Sequence, residues 1–110
     1  MKFRALAAFL VLAASAAAHA AETSAAADIN ARLAAQMKRI DEARRTHQLT
    51  AFGYLSLLSE QQDITMDAHR AMADGVVTAE ERRRIDIKLD RASARIQRLT
   101  RKAAKAAEPK

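Results

Sequence analysis

Cysteine and tryptophan are absent from this 110-residue chain, proline occurs once and glycine twice. Each absence removes a class of chemistry. Without cysteine there is no disulfide to staple a small fold, no thiolate nucleophile and no thiolate metal site. Gly53 and Gly75 stand alone, so no glycine-rich loop can cradle a phosphate. The one proline, Pro109, interrupts no internal segment. Ser, His and Asp do not fall into the strand-turn-helix order of a hydrolase, and a slender helical fold leaves no room for a deep pocket. No enzyme activity and no cofactor are expected.

What is present begins with Lys2 and Arg4, continues through "ALAAFLVLAASAAA" and reaches Ala18-His19-Ala20. A positive start, an apolar middle and small residues at the two positions read by a signal peptidase predict a secretory signal peptide over residues 1–20, cut between Ala20 and Ala21. Its apolar part falls short of the roughly 20 residues a bilayer-spanning helix needs. After cleavage the chain is therefore expected not to span a membrane, and with no cysteine at the cut no lipid anchor is expected there. The expected location is periplasmic or secreted. Residues 21–27 read as a flexible leader, 28–105 as one helical domain and 106–110 as a flexible tail. Lys and Arg number 19 against 13 Asp and Glu, a formal charge of +6. Loss of Lys2 and Arg4 leaves 17 against 13, a charge of +4 that is unevenly spread.

Three helices are legible in the apolar spacing. Ile29, Leu33, Met37 and Ile40 recur at steps of four, four and three, predicting a helix from about Asp28, its N-cap, to Arg45. Thr50 is the predicted N-cap of the second helix, with Leu49 and Tyr54 closing a hydrophobic staple. Its inner face carries Leu57, Leu58, Gln61, Ile64, Ala68, Ala71 and Met72. In the third helix Ile85, Leu89, Ala92, Ile96, Leu99 and Ala103 form a heptad seam. Short connections between helices of similar length predict an all-α fold: an up-down-up three-helix bundle, or a long helical hairpin with a third helix attached. Gln36 and Gln61 face into an alanine-rich seam. That suggests low stability alone, and a homo-dimer through the same seam is expected.

The stretch "MADGVVTAEE" admits two readings. With Gly75 at the sixth place of a calcium loop over residues 70–81, Asp74, Gly75 and Glu81 fit, but Arg70 and Met72 stand where oxygen ligands belong. As a turn, Asp74-Gly75 ends one helix and Thr78-Ala79-Glu80-Glu81 caps the next, with Glu81 reaching back in a capping box. The structural cap is the preferred reading, and a vestigial EF-hand-like calcium site is kept as the alternative. "QLT" at 48–50 and "VVT" at 76–78 are similar turns 28 residues apart, a trace of internal duplication.

Residues 40–105 resemble a group of small exported helical proteins of Gram-negative bacteria. Those carry a repeated (D)G-x-[LV]-T-x-x-E turn and a final helix of the form DRAS-x-x-I. The matching stretches here are "DGVVTAEERRRI" and "DRASARI". The first copy, "HQLTAFG", departs, with Phe52 and Gly53 where the group has a charged residue and a glutamate. The resemblance implies an exported helical fold and carries no established activity. A fainter similarity, to periplasmic stress chaperones with paired LTxxQ motifs, stops at the threonines.

Two sets of residues could bind something. Met66, His69 and Met72 follow M-x-x-H-x-x-M spacing, and thioether with imidazole suits Cu(I) or Ag(I); the plainer reading is two gap-filling methionines and a surface histidine. Arg84, Lys88, Arg91, Arg95, Arg98, Lys102 and Lys105 form a basic stripe one residue behind the apolar seam. It could hold an anionic envelope component such as lipopolysaccharide or anionic phospholipid, and export disfavours nucleic acid. The plainer reading pairs these bases with Asp41, Glu42, Glu60, Asp63 and Asp67. A partner helix on an open part of the seam is a further possibility. The functional expectation is a small non-enzymatic envelope protein that binds a partner, of a stress-type accessory kind.

Overall fold

The computed structural model describes the backbone of residues 2–107 and the side chains of residues 24–106. The side chains of the expected signal peptide, and residues 108–110 of the expected tail, lie outside the described set. Among the described residues the chain is all-α: α1 (Lys2–Arg45), α2 (Ala51–Met72) and α3 (Ala79–Ala107). Each helix packs against both others. The fold is thus the three-helix bundle and not a hairpin with a loose third helix.

Asp28 is not an N-cap. It lies inside α1, and residues 21–27, expected as a loose leader, are helical, with Ala25 buried. The reason is local. "AETSAAA" is alanine-rich, alanine is the best helix former, and nothing in the stretch stops the helix. Asp28 instead accepts a hydrogen bond from Arg82 Nη2 at 3.0 Å. At the other end Ala106 and Ala107 continue α3 into the expected tail.

The core has two apolar clusters separated by a polar layer. One joins Ile29, Ile64, Ala68, Ala71, Ile85, Leu89 and Ala92, with Leu33, Met72 and Val77 packed against it. The other joins Ile40, Ala43, Leu49, Leu57 and Ile96, with Met37, Tyr54, Leu58 and Leu99 at its edge. Between them Gln61 Nε2 donates to Gln36 Oε1 at 2.7 Å, and Gln36 Nε2 donates to the Leu89 carbonyl at 2.8 Å. Both glutamines are 4% exposed, so one buried chain of hydrogen bonds ties all three helices at mid-length. Buried amides without such partners would cost stability. Gln61 Oε1 is the exception, buried without a partner. The seam expected to dimerise is filled within a single chain: Ile85, Leu89, Ala92 and Ile96 are at most 2% exposed.

The two turns repeat a device. Thr50 Oγ1 accepts from Gly53 N at 3.0 Å and Thr78 Oγ1 accepts from Glu81 N at 3.1 Å. Three residues before each threonine the backbone is left-handed, at His47 (φ 60°) and Gly75 (φ 81°). One residue before each, Leu49 and Val77 turn into the core. The capping box is half made, since Glu81 Oε2 is buried without a hydrogen-bond partner. Left-handed backbone strains a side chain by about 1 kcal/mol and costs glycine nothing. His47→Gly is therefore expected to raise stability by up to about 1 kcal/mol. Gly75→Ala should lower it by a similar amount although its Cβ would meet nothing within 4 Å. Urea unfolding of both variants checks the pair, and a stabilised G75A would contradict the turn geometry.

Charge sorts the helices. Toward α1, the flank of α3 presents Asp86 and Asp90 to Arg32 (3.4 and 2.6 Å) and Arg82 to Asp28. Toward α2 it presents Lys88 to Asp67 and Arg95 to Glu60 (3.0 Å). Single half-exposed pairs contribute little, about 0–1 kcal/mol each. Together they favour one handedness of the bundle, because the mirror arrangement would leave all of them unmade.

Candidate functional site

The structure does not bring Met66, His69 and Met72 together. Six residues along an α-helix turn a side chain through about 240° relative to the first. Met66 is 48% exposed, while Met72 packs against the core beside Leu33 and Val77. His69 and Met72 border a small crevice with Asn30, and Met66 is not part of it. Among the described residues no three His, Cys, Asp or Glu side chains meet as a metal-holding group. The calcium reading meets a similar geometry. Residues 70–72 are the last turn of α2, and only residues 73–78 separate the helices. Arg70 pairs with Asp67 at 3.6 Å, and Asp74 Oδ1 accepts from Val76 N at 3.4 Å within the turn.

The basic stripe of α3 divides into two halves. The half nearer the α2–α3 turn is engaged with α2. Lys88 bonds Asp67, and Arg95 bonds Glu60 and Ser56. Arg91 lies beside Glu60 and Asp63 in a shallow groove, and Arg84 is close enough to Asp67 to act on its charge. In the distal half, Arg98, Lys102 and Lys105 are exposed and make no ion pair among the described residues.

The Asp67 carboxyl is held below its ordinary pKa. The hydrogen bond from Lys88 lowers its pKa below 3.8, the charges of Lys88, Arg70 and Arg84 lower it further, and burial opposes them. A carboxylate with a depressed folded-state pKa stabilises the fold above its unfolded value and loses that contribution as pH falls through the folded value. Asp67→Asn is accordingly expected to cost about 1 kcal/mol or less at neutral pH. The cost should vanish in acid well below 3.8, where wild type and variant should melt together. An undiminished difference there would show that the pair does not supply it.

The distal half of the stripe belongs to a larger electrostatic feature. Residues 38–60 and 95–107, which form the end of the bundle around the α1–α2 turn, hold nine Lys and Arg against three acids, a balance of +6. Residues 24–37 and 61–94, at the other end, hold seven against eight, a balance of −1. The basic excess is thus gathered at one tip. No acid stands in the first turn of α2, whereas α3 begins with Glu80 and Glu81. The positive end of the α2 dipole is therefore uncompensated at this tip. Arg44 and Arg45 close α1 there, and Arg44 stacks over Tyr54 at 5.7 Å.

Two apolar side chains stand out of the same tip. Phe52 is 85% exposed and Leu55 63%. Phe52 overhangs an apolar groove of about 360 Å³ between the start of α2 and the end of α3, lined also by Leu49, Leu99, Lys102 and Ala103. On its other side Phe52 and Leu55 border a second groove that includes Glu60, Asp63 and Arg95. Sequence reading marked Phe52 only as a departure from a repeat and passed over Leu55. The signal was available: Tyr54, Leu57, Leu58 and Gln61 take the inner face, which leaves 52, 55 and 59 outward in a stretch, "AFGYLSLLS", with no charge at all.

No described helix is long and apolar enough to cross a membrane. Comparison with protein-family models, curated proteins and solved structures finds no match to this chain.

Proposed function

We propose that this chain is a small exported, non-enzymatic protein of the bacterial envelope that binds an anionic partner through the basic tip formed by the end of α3 and the α1–α2 turn. The observation that carries this reading is the division of the α3 stripe. In its first half Lys88 and Arg95 pair with Asp67 and Glu60, and its second half is exposed at the end of the bundle where α1 closes in Arg44 and Arg45. A purely solubilising surface has no need to gather its charge excess at one end, whereas a cationic end raises the local concentration of an anionic partner and speeds encounter. Export is supported by Lys2 and Arg4, the apolar stretch that follows and the Ala18-His19-Ala20 site, and by the resemblance carried by "DGVVTAEERRRI" and "DRASARI".

Two measurements test this. Mass spectrometry of cell fractions is expected to find a chain starting at Ala21 outside the cytoplasm, and an intact Met1 terminus in the cytoplasm would overturn the export reading. Co-sedimentation with vesicles containing anionic phosphatidylglycerol is expected to show binding that weakens with salt. Replacing Arg98, Lys102 and Lys105 by glutamine should weaken it about fivefold per charge, since each basic residue near such a surface is worth about 1 kcal/mol. Unchanged binding in the triple variant would overturn the assignment to this tip.

A further inference from the structure

From the position of Phe52 and Leu55 we infer that the partner is the surface of an anionic phospholipid bilayer, entered by these two side chains while the surrounding bases hold the headgroups. This rests on the basic tip proposed above and names what it binds. The two side chains are the largest apolar groups exposed at that end, 85% and 63% accessible. They project from the first turns of α2, where nine successive residues carry no charge. Lys102 borders them on one side, and on the other Arg95 stands with its partner Glu60 and with Asp63. Apolar side chains at the edge of an exposed basic tip are the composition that settles into the boundary between headgroups and acyl chains, with hydrophobic burial and charge attraction acting together.

Charge also decides against the main rival, a second copy of this chain. A symmetric contact through the same patch would set one +6 tip against another, and like charges brought together are unfavourable. An acidic, apolar surface has no such conflict. The opposite end of the bundle offers a built-in comparison. Val76 is 45% exposed there, in surroundings with a net negative balance.

The chain has no tryptophan, so one placed at either end reports on that end alone. Full-length Phe52→Trp and Val76→Trp variants would be mixed with vesicles of phosphatidylcholine, or of phosphatidylcholine with phosphatidylglycerol. The indole at position 52 is expected to shift its emission to the blue and to be quenched by shallowly brominated lipid, on anionic vesicles only. The indole at position 76 is expected to stay solvent-like. In the otherwise native chain, Phe52→Ser with Leu55→Ser is expected to weaken co-sedimentation about tenfold or more, from the apolar burial lost. Its far-ultraviolet circular dichroism should be unchanged, because neither side chain is part of the core.

Other results overturn the inference. Equal shifts at both positions would mean that the chain lies on lipid without this orientation. A blue shift at position 52 that follows protein concentration without lipid would make the occupant a second copy. Salt-sensitive co-sedimentation of the Phe52→Trp variant with solvent-like emission would leave the basic tip standing and remove the insertion of Phe52 and Leu55. No co-sedimentation at all would remove both.

Discussion

Ile85→Ala is expected to destabilise the bundle by about 2–5 kcal/mol, while Ile87→Ala, on the same helix, changes stability by less than about 0.5 kcal/mol. The chemistry of the two substitutions is identical, so the difference isolates burial. Ile85 is fully buried among Ile64, Leu89 and their neighbours, and Ile87 is 42% exposed. Truncating Ile85 forfeits its transfer free energy and leaves a void that neighbours fill only partly. At position 87 alanine loses a little apolar contact and regains it in helix propensity. A domain of roughly 80 residues has a total stability of only about 4–12 kcal/mol. The first variant should thus melt well below wild type, and the second should melt with it. Thermal melts followed by circular dichroism decide it. Equal melting of the two would mean that α3 does not pack through the seam described.

Gln36→Leu is expected to be the second costly change, at about 1–3 kcal/mol, although leucine has nearly the shape of glutamine and is more apolar. The side chain removed serves two partners. Its loss leaves the Gln61 amide without the 2.7 Å bond, while the Leu89 carbonyl, which gives up a second bond of 2.8 Å, keeps its place in the helical ladder of α3. Gln61 already buries one unpaired oxygen. A buried polar group left unpaired costs about 1–3 kcal/mol, and the Gln61 amide is such a group. Adding Gln61→Leu removes it and joins the two apolar clusters. The double variant should therefore recover most of the loss, to within about 1 kcal/mol of wild type. A double-mutant cycle by urea denaturation measures the coupling. Additive losses in the double variant would mean that the glutamines do not bond each other. Helices free of a polar layer are also freer to slide in register, so broader or multiple resonances in the double variant would accompany its recovered stability.

The seams of α2 and α3 were legible because burial repeats with helical period. The six apolar positions from Ile85 to Ala103 step by four and three, and the structure buries the first four fully. Both threonine caps were legible because a hydroxyl before an apolar run has few other uses. Three features were not. The continuation of α1 through residues 21–27 competes with a tempting cap at Asp28, and only the partner Arg82, 54 residues away, shows what that carboxylate does. The left-handed turn residue at His47 is hidden because its counterpart is a glycine and residues other than glycine take positive φ uncommonly. The division of the basic stripe depends on which flank of α3 meets which helix, and no local spacing encodes that. The tip itself was half visible. Its bases were counted along one helix, but the charge-free start of α2 lies beside them only once the bundle is closed.

Residue-resolved amide hydrogen exchange of the full chain, with and without anionic vesicles, tests the central claim most directly. Without vesicles the account predicts protected amides in all three helices, strongest where Gln36, Gln61 and Leu89 meet. With vesicles it predicts added protection around Phe52, Leu55 and residues 98–106, and none around Val76. Rapid exchange throughout any one of α1, α2 or α3 between residues 29 and 100, or added protection centred on the α2–α3 turn, would contradict it.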